Sequence, residues 1–199
     1  TMPRRASAPR DHSHDSAEVV SQLSEGARIA VIADTHSNPH PGAEPLIRAL
    51  KPDAVLHAGD IGDASILEPF ADIAPLIAVR GNIDGRERFT DSVDIRVKDA
   101  QGKHLATLLL QHICVRGPKL RKDAAENAKR HKAQIVVCGH SHVPFVGQDR
   151  GLWMFNPGSI GPRRFHLPIV FGVMAFGPKG LSMQHISCET GEPWVPQPV

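Results

Sequence analysis

The sequence predicts an α/β fold in which two packed, mixed β-sheets carry helices on their outer faces. A β-α-β unit near the start of the chain indicates parallel strands. Later apolar segments are joined by short turns, which indicate antiparallel meanders. The length of 199 residues suits a single domain that buries its own core without disulfides.

The β-α-β unit consists of two apolar runs with a helical segment between them. Strands are predicted over 28–33 and 54–58, with a helix over 42–50. A second helix is expected to begin after Asp63, because an aspartate is a favourable N-cap. A third strand over 75–79 follows that helix and extends the same pattern.

Hairpins and one amphipathic helix account for the second half of the chain. The turns are predicted at 99–102, 149–151 and 177–180, where glycine and polar residues interrupt apolar runs. The predicted elements in this half are strands over 93–98, 103–110, 135–138, 145–148, 152–155, 169–176 and 181–186, and a helix over 119–132.

Both ends of the chain are predicted to lie outside the domain at 28–190. Residues 1–27 are rich in Arg, Ser, Pro, His and Asp, so a flexible tail is expected, with a possible short helix over 15–23. Within that tail, the histidines of the segment 12–14 are interpreted as solvated residues instead of metal ligands. Residues 191–199 are interpreted as a second tail.

Composition narrows the classes of function. The formal net charge is +2, and Lys and Arg are scattered except over 119–132, so nothing indicates a nucleic-acid-binding stripe. No run approaches the roughly 20 apolar residues of a membrane span. Three widely spaced cysteines indicate reduced thiols, and hence a cytoplasmic location.

Five short motifs carry residues that can bind metal, and most of them follow an apolar run. Short Asp-x-His or His-x-His motifs occur by chance, but the order of all five pieces is informative. In an extended chain, residues two apart point the same way, so each such pair is expected to present two ligands to one site. The candidate ligands are Asp34, His36, Asp60, Asn82, His112, His140 and His142.

This series resembles the signature of the calcineurin-like metallophosphoesterase superfamily, which reads D-x-H, G-D, G-N-x-D/E, H and G-H-x-H. It is most similar to the small bacterial and archaeal phosphodiesterases that lack a cap domain, because Asn156–Ser159 follows the last motif as it does there. The resemblance implies a four-layer α/β/β/α sandwich, the metallophosphoesterase-like form of the predicted fold.

The resemblance also implies two divalent metal ions, with Mn²⁺ favoured and Fe²⁺, Zn²⁺ or Ni²⁺ possible. A hydroxide held between the two ions would attack phosphorus in line. Asp84 would orient a ligand through hydrogen bonds, and Asn82, Arg163 and Arg164 would bind substrate. The implied catalytic residues are Asp60, Asn82, Asp84 and His112. One ion would be held by Asp34, His36, Asp60 and His142, and the other by Asp60, Asn82, His112 and His140.

Two positions depart from the family pattern. Ile83 occupies a position where many members have a histidine that protonates the leaving group, so substrates with good leaving groups are expected to react faster. Ile113 follows His112 where the family usually has glycine, and it is expected to crowd the site or shift that histidine. His57, before Gly59-Asp60, is interpreted as a packed residue instead of a ligand.

Two classes of function remain open at this point. The first is a metal-dependent phosphodiesterase that acts on a small phosphate ester. The second is a weakly catalytic or non-catalytic protein-interaction scaffold, because the retromer scaffold subunit resembles the same branch. The complete set of seven ligand types favours the enzyme. The resemblance also suggests a homo-oligomer, either a dimer or a tetramer.

Overall fold

Two six-stranded sheets form the centre of the computed structural model, which describes residues 13–196. The helices are α1 (Ala43–Leu50), α2 (Glu68–Ala71), which a 3₁₀ turn (Ala64–Leu67) directly precedes, and α3 (Lys122–Arg130). The strands are β1 (His14–Val20), β2 (Ala27–Ile32), β3 (Ala54–His57), β4 (Leu76–Ala78), β5 (Ser92–Lys98), β6 (His104–Gln111), β7 (Val115–Arg116), β8 (Lys119–Leu120), β9 (Ile135–Val137), β10 (Phe145–Asp149), β11 (Leu152–Asn156), β12 (Val170–Gly177), β13 (Gly180–Ser187) and β14 (Pro193–Trp194).

Both sheets mix parallel and antiparallel strands, as the sequence predicts. One sheet, here called the β2 sheet, has the order β14-β13-β12-β2-β3-β4, with β2, β3 and β4 parallel. The other, the β6 sheet, has the order β1-β5-β6-β9-β11-β10, with β6, β9 and β11 parallel. The predicted hairpins pair β5 with β6, β10 with β11 and β12 with β13.

The two sheets pack face to face, and the helices cover their outer faces. Alternation along β2 shows the layering, because Ile29 and Val31 enter the core between the sheets while Ala30 and Ile32 pack with the α1 side. On the opposite side, Ala124 of α3 belongs to a third cluster on the β6 sheet. The result is the expected four-layer α/β/β/α sandwich, with an apolar core on each side of both sheets.

Predicted elements and observed elements agree to within three residues at their ends. Asp63 caps its helical segment as expected, since its side chain accepts a hydrogen bond from the Ser65 backbone N–H at 2.9 Å. Helix α3 is shorter than the predicted 119–132. Its first predicted turn is replaced by the β7–β8 hairpin, in which Lys119 pairs with Arg116.

The structure differs from the predicted N-terminal tail. Residues 14–20 form β1, which pairs in parallel with β5 at the edge of the β6 sheet, and no helix forms over 15–23. The residues directly after β1 are also attached to the domain, because the side chain of Asp53 accepts hydrogen bonds from Ser21 and Gln22. His12 of the predicted solvated segment lies outside the described residues.

The prediction missed β1 because most of its side chains are polar and exposed, and only Val19 is buried. Its stability comes from backbone pairing with a strand more than 70 residues away, which local sequence does not reveal. The predicted C-terminal tail also differs, since β14 pairs with β13. None of the helices between residues 13 and 196 is both long and apolar enough to cross a membrane.

A pair of adjacent valines tests whether β1 belongs to the folded domain. Val19 is 3% exposed and Val20 is 48% exposed. Val19→Ala should lower the free energy of unfolding by about 2 kcal/mol, because it removes buried methyl groups and leaves a cavity. The matched change Val20→Ala should lower it by less than about 0.5 kcal/mol. Urea unfolding of the two variants measures both values, and equal effects would contradict the β1 assignment.

Candidate metal centre

The candidate ligands converge where strands from both sheets end. The loops after β2, β3 and β4 leave one sheet, and those after β6 and β9 leave the other. Neighbouring loops are linked by backbone hydrogen bonds, from Asp34 N–H to Gly59 O at 2.9 Å and from Gly139 N–H to His112 O at 3.0 Å. Hydrogen bonds also join the two sets of loops, since His140 N–H donates to Asp34 Oδ2 at 3.0 Å and His112 Nδ1 donates to the Ala58 carbonyl at 2.7 Å.

Six of the seven predicted ligands form two clusters of three. Within each cluster the candidate ligand atoms lie within 4.8 Å of one another. The seventh residue, Asn82, is exposed and lines a cavity together with His112. The first cluster consists of Asp34, His36 and His142, and the second consists of Asp60, His112 and His140.

Asp60 faces both clusters with different oxygens. Its Oδ2 lies 3.6 Å from Nε2 of His36 in the first cluster. Its Oδ1 lies 3.4 Å from Nε2 of His112 in the second. A carboxylate in this position is suited to be shared between two cations.

The ligand loops have an uncommon backbone conformation. Five ligand residues have positive φ angles between 44° and 71°, the left-handed region that costs about 1 kcal/mol or more for each non-glycine residue. The extended-chain argument from the sequence is therefore wrong in its geometry. Asp34 and His36 do share a cluster, but His140 and His142 belong to different clusters. The five residues are Asp34, His36, Asp60, His140 and His142.

Several buried polar atoms of the centre have no hydrogen-bond partner in the described part of the chain. They are Asp34 Oδ1, His112 Nε2 and both ring nitrogens of His142. His142 Nε2 lies 3.5 Å from Asp34 Oδ1. Ligand atoms around a cation with bonds of about 2.0–2.1 Å lie roughly 3.3 Å apart, close to these spacings. Because unsatisfied buried polar atoms are costly, the residues present fit a bound cation.

Burial and charge shift the pKa values in this centre. Burial raises the pKa of the Asp34 carboxyl to about 7, even though the charge of His112 opposes the shift. Burial lowers the pKa of His142 to about 4, and the charge of Arg164 adds to this effect. Burial opposes the shift at Asp60, but the close approach of His112 outweighs it and lowers the pKa of that carboxyl. The centre brings imidazole nitrogens and carboxylate oxygens together, the donor set that divalent transition metals prefer.

Hydrogen bonds behind the ligands fix their orientation. His112 Nδ1 donates to the carbonyl of Ala58 at 2.7 Å, which leaves Nε2 with its lone pair toward the centre. The carboxylate of Asp84 accepts from the backbone N–H groups of Ile61, Gly62 and Gly81 at 2.7–3.1 Å. It therefore holds the loops of Asp60 and Asn82 against each other.

His57 is a packed residue, as predicted. It is fully buried, its Nδ1 accepts from Gly59 N–H, and its Nε2 lies 3.0 Å from the Thr35 hydroxyl. Thr35 in turn donates to the Ile61 carbonyl, so His57 supplies the proton in its own contact with the hydroxyl. Burial lowers the pKa of His57 to about 3, and the ring is neutral.

Two glycines beside ligands are required by close approach. A Cβ at Gly81 would lie 2.1 Å from the Asp60 backbone nitrogen and from Asp60 Oδ1. Gly59 has a φ of +98°, and a Cβ there would lie 2.7 Å from His112 Nδ1. These contacts are too short for any side chain, so both glycines let two loops approach each other.

The two isoleucines that depart from the family pattern, Ile83 and Ile113, have different surroundings. Ile113 lines the cavity beside His112, but it does not displace that histidine from its cluster. Ile83 is 53% exposed, and its backbone N–H donates to Asp60 Oδ1 at 3.3 Å. The side chain at position 83 therefore projects beside the centre and carries no titratable group.

The two arginines predicted to bind substrate make different contacts. Arg163 is engaged away from the centre, because its guanidinium donates to Glu189 Oε1 at 2.6 Å and to the Leu167 carbonyl at 2.9 Å. Arg164 reaches the centre, where its Nη2 lies 3.3 Å from His36 Nε2. The loop of Asn156–Ser159 lies against the ligand loops as the resemblance implies, since Asn156 donates to the Gly139 carbonyl.

A charged cavity of about 470 Å³ adjoins the centre and was not predicted from the sequence. Asn82 and His112 form part of its lining. Its charged residues come from several separate segments of the chain, so no local motif indicates it. They are Arg80, Arg86, Asp91, Arg121, Asp123, Glu126 and Arg130.

Known proteins resemble this chain in sequence and in fold. A probable metallophosphoesterase from Methanocaldococcus jannaschii is 29% identical over 140 residues, which span 66% of this chain and 67% of that protein. The structure of a predicted phosphoesterase from Streptococcus pneumoniae, 18% identical, gives a TM-score of 0.58 over 85% of this chain and 93% of its own. The structure of Vacuolar Protein Sorting 29 from Cryptosporidium parvum, 19% identical, gives a TM-score of 0.67 over 85% of this chain and 95% of its own. At these identities the two structures show a shared fold.

The family assignment rests on sequence as well as on fold. Residues 28–177 match the calcineurin-like phosphoesterase superfamily domain. This range contains all five ligand loops, the arginine that reaches the centre, and both sheets except β1, β13, β14 and the first residue of β2. The chain belongs to the calcineurin-like phosphoesterase superfamily.

Proposed function

We propose that this protein is a phosphodiesterase that uses two divalent metal ions to hydrolyse a small phosphate ester. The observation that carries the proposal is the position of Asp60, whose two oxygens each face one of the two ligand clusters. Family membership supports the coarser activity of a metal-dependent phosphoesterase. Three free, buried cysteines support a cytoplasmic location as part of the proposal.

In this proposal Asp60 would contribute to holding both ions, because its two oxygens face different clusters. Asn82 joins the second set of ligands through its position at the cavity wall beside His112. We favour Mn²⁺, since oxygen and imidazole donors without thiolate suit it, and Fe²⁺, Zn²⁺ and Ni²⁺ are alternatives. The two sets are Asp34, His36, Asp60 and His142, and Asp60, Asn82, His112 and His140.

The metal ions would supply an acidified water as nucleophile and stabilise charge on the attacking and leaving oxygens. The protein residues position this chemistry. Asp84 fixes the Asp60 and Asn82 loops through backbone N–H groups, and the Ala58 carbonyl fixes the tautomer of His112. Arg164 is placed to bind a nonbridging oxygen of the phosphate group. Ile83 cannot protonate a leaving group, which favours esters that leave as weak bases.

The alternative is an interaction scaffold of the retromer-subunit type. Vacuolar Protein Sorting 29 shares the fold, but that similarity carries no information about activity at this level of identity. A scaffold has no chemical need for buried, unsatisfied ligand atoms, which this chain retains at Asp34, His112 and His142. We therefore favour the enzyme.

Hydrolysis of bis-p-nitrophenyl phosphate tests the proposed activity. The reaction should require added Mn²⁺ and should stop with a chelator. Asp60→Ala should lower kcat/KM by more than about 100-fold, because loss of even an outer partner of a metal ligand costs 10–100-fold. Asp72→Ala, which changes an exposed aspartate, should retain full activity. Activity that survives both the chelator and Asp60→Ala would exclude the two-metal proposal.

A series of phosphodiesters with different leaving groups tests the role of Ile83. The wild-type rate should fall steeply as the pKa of the leaving group rises, because position 83 supplies no proton. Ile83→His should speed hydrolysis of alkyl esters by about 10-fold or more and flatten the dependence. Ile83→Asn is the matched polar control without an acid and should keep the steep dependence. Equal wild-type rates across the series would contradict this role.

The two neighbouring arginines provide a matched test of substrate binding. Arg164→Ala should lower kcat/KM by about 10–100-fold, the value of a charge-assisted hydrogen bond to phosphate. Arg163→Ala should change it by less than about threefold, since Arg163 is engaged with Glu189. Steady-state kinetics on the diester substrate measures both. A larger loss in Arg163→Ala than in Arg164→Ala would reverse the assignment.

A further inference from the structure

A third cluster of metal-binding residue types lies outside the candidate metal centre. It joins His14 of β1, Asp94 of β5 and His131, the residue that ends α3. The candidate ligand atoms of these residues lie within 4.8 Å of one another. His14 Nε2 is 2.9 Å from Asp94 Oδ1, and His131 Nδ1 is 3.4 Å from the same oxygen. Three distant segments of the chain therefore meet at one carboxylate oxygen.

A metal ion could be held by these atoms once the two imidazole rings move apart. Donors of a tetrahedral Zn²⁺ site with bonds of about 2.0–2.1 Å lie roughly 3.3 Å apart. The distance from His131 already has that value, but His14 Nε2 would give up its hydrogen bond to Asp94 Oδ1. The two rings, with centroids 3.7 Å apart, would also separate toward the 5.2–5.3 Å between ring centroids in the candidate metal centre. The same contact distances, 3.4–3.6 Å, separate histidine nitrogens from carboxylate oxygens in the candidate metal centre.

The surroundings of the cluster orient its donors. His14 Nδ1 lies 2.7 Å from the hydroxyl of Ser92, which also accepts a hydrogen bond from Asn127 Nδ2 at 3.2 Å. His14 Nε2 donates to the carboxylate oxygen Asp94 Oδ1 at 2.9 Å, so a metal ion would have to replace that proton. The bond between His14 Nδ1 and Ser92 would then hold the ring, as outer bonds hold metal-binding histidines. Asp94 is buried, and Ser16 donates to its Oδ1. The carboxylate is thus fixed in place.

The two imidazoles lie directly against each other. The rings of His14 and His131 are stacked with centroids 3.7 Å apart, so two positive rings would repel each other. One buried carboxylate and two neutral imidazoles form a donor set that Zn²⁺ accepts. His14 and His131 also line the charged cavity, from which water could complete the coordination.

We propose that His14, Asp94 and His131 form a third metal site, which binds Zn²⁺ or a similar divalent transition metal. The ion would fasten β1 and the segment after α3 to β5 near the edge of the β6 sheet. This site does not depend on the proposed phosphodiesterase function, since it shares no ligand with the candidate metal centre.

Zinc content at a buffered free Zn²⁺ concentration, measured by mass spectrometry of the metal, tests the proposal. His131→Ala and Asp94→Asn should each bind one equivalent less than the wild type. The same comparison in an Asp60→Ala background separates this site from the candidate metal centre. In that background, Zn²⁺ bound at this site should raise the melting temperature by several degrees. Adding His131→Ala should remove one equivalent of zinc and part of that rise in melting temperature.

His104→Ala is the matched control, because this histidine hydrogen-bonds Thr107 and belongs to none of the clusters. It should keep the wild-type zinc content. The change at Asp94 preserves shape, and circular dichroism confirms that each variant is folded. Unchanged zinc content in both His131→Ala and Asp94→Asn would overturn the proposal. The three residues would then form a hydrogen-bonded network and no metal site. Absence of hydrolysis would affect only the proposed function, since the one-equivalent difference does not require activity.

Discussion

The buried carboxylate of Asp34 is the constraint on which the rest of the centre depends. It lies at the junction of the two sheets, and its Oδ2 accepts the backbone N–H of His140 from the other sheet. Its Oδ1 has no hydrogen bond within residues 13–196. An ionised carboxylate removed from water is costly without a positive partner, and the raised pKa of Asp34 expresses that cost. A cation between the clusters would meet this requirement for Asp34 and for Asp60 together.

The four-layer architecture explains how such a centre can exist. Parallel strands of each sheet end at one edge, and the core between the sheets brings the two edges together. Each ligand loop follows a strand of a sheet, and all of these strands are largely buried except the half-buried β4, so the loops start from a fixed base. Glycines at positions 59 and 81 then allow the loops to approach within contact distance of one another. The chemistry is thus carried by short loops on a fixed base.

Sequence patterns revealed the strands, the order of the ligands and the family resemblance, because each rests on local spacing. The division of ligands into two sets was implied only by the resemblance, since the extended-chain argument assumed an extended backbone where His140 and His142 have left-handed φ angles. Strand β1 escaped prediction because its pairing is parallel and distant. The role of His14 and the charged cavity depend on segments that meet only in the folded chain.

The left-handed backbone of the ligand loops has a consequence for how metal is taken up. Hydrogen bonds between loops, such as His36 N–H to Asp60 O, hold these conformations within the protein itself. The unfavourable backbone energy is therefore part of the free energy of folding. An ion would bind to a site that is already preorganised. Small zinc domains behave differently, because their ligands come together only when the ion binds. Here the ligand loops are held by hydrogen bonds of the protein itself, so binding or loss of an ion would not require the chain to fold or unfold.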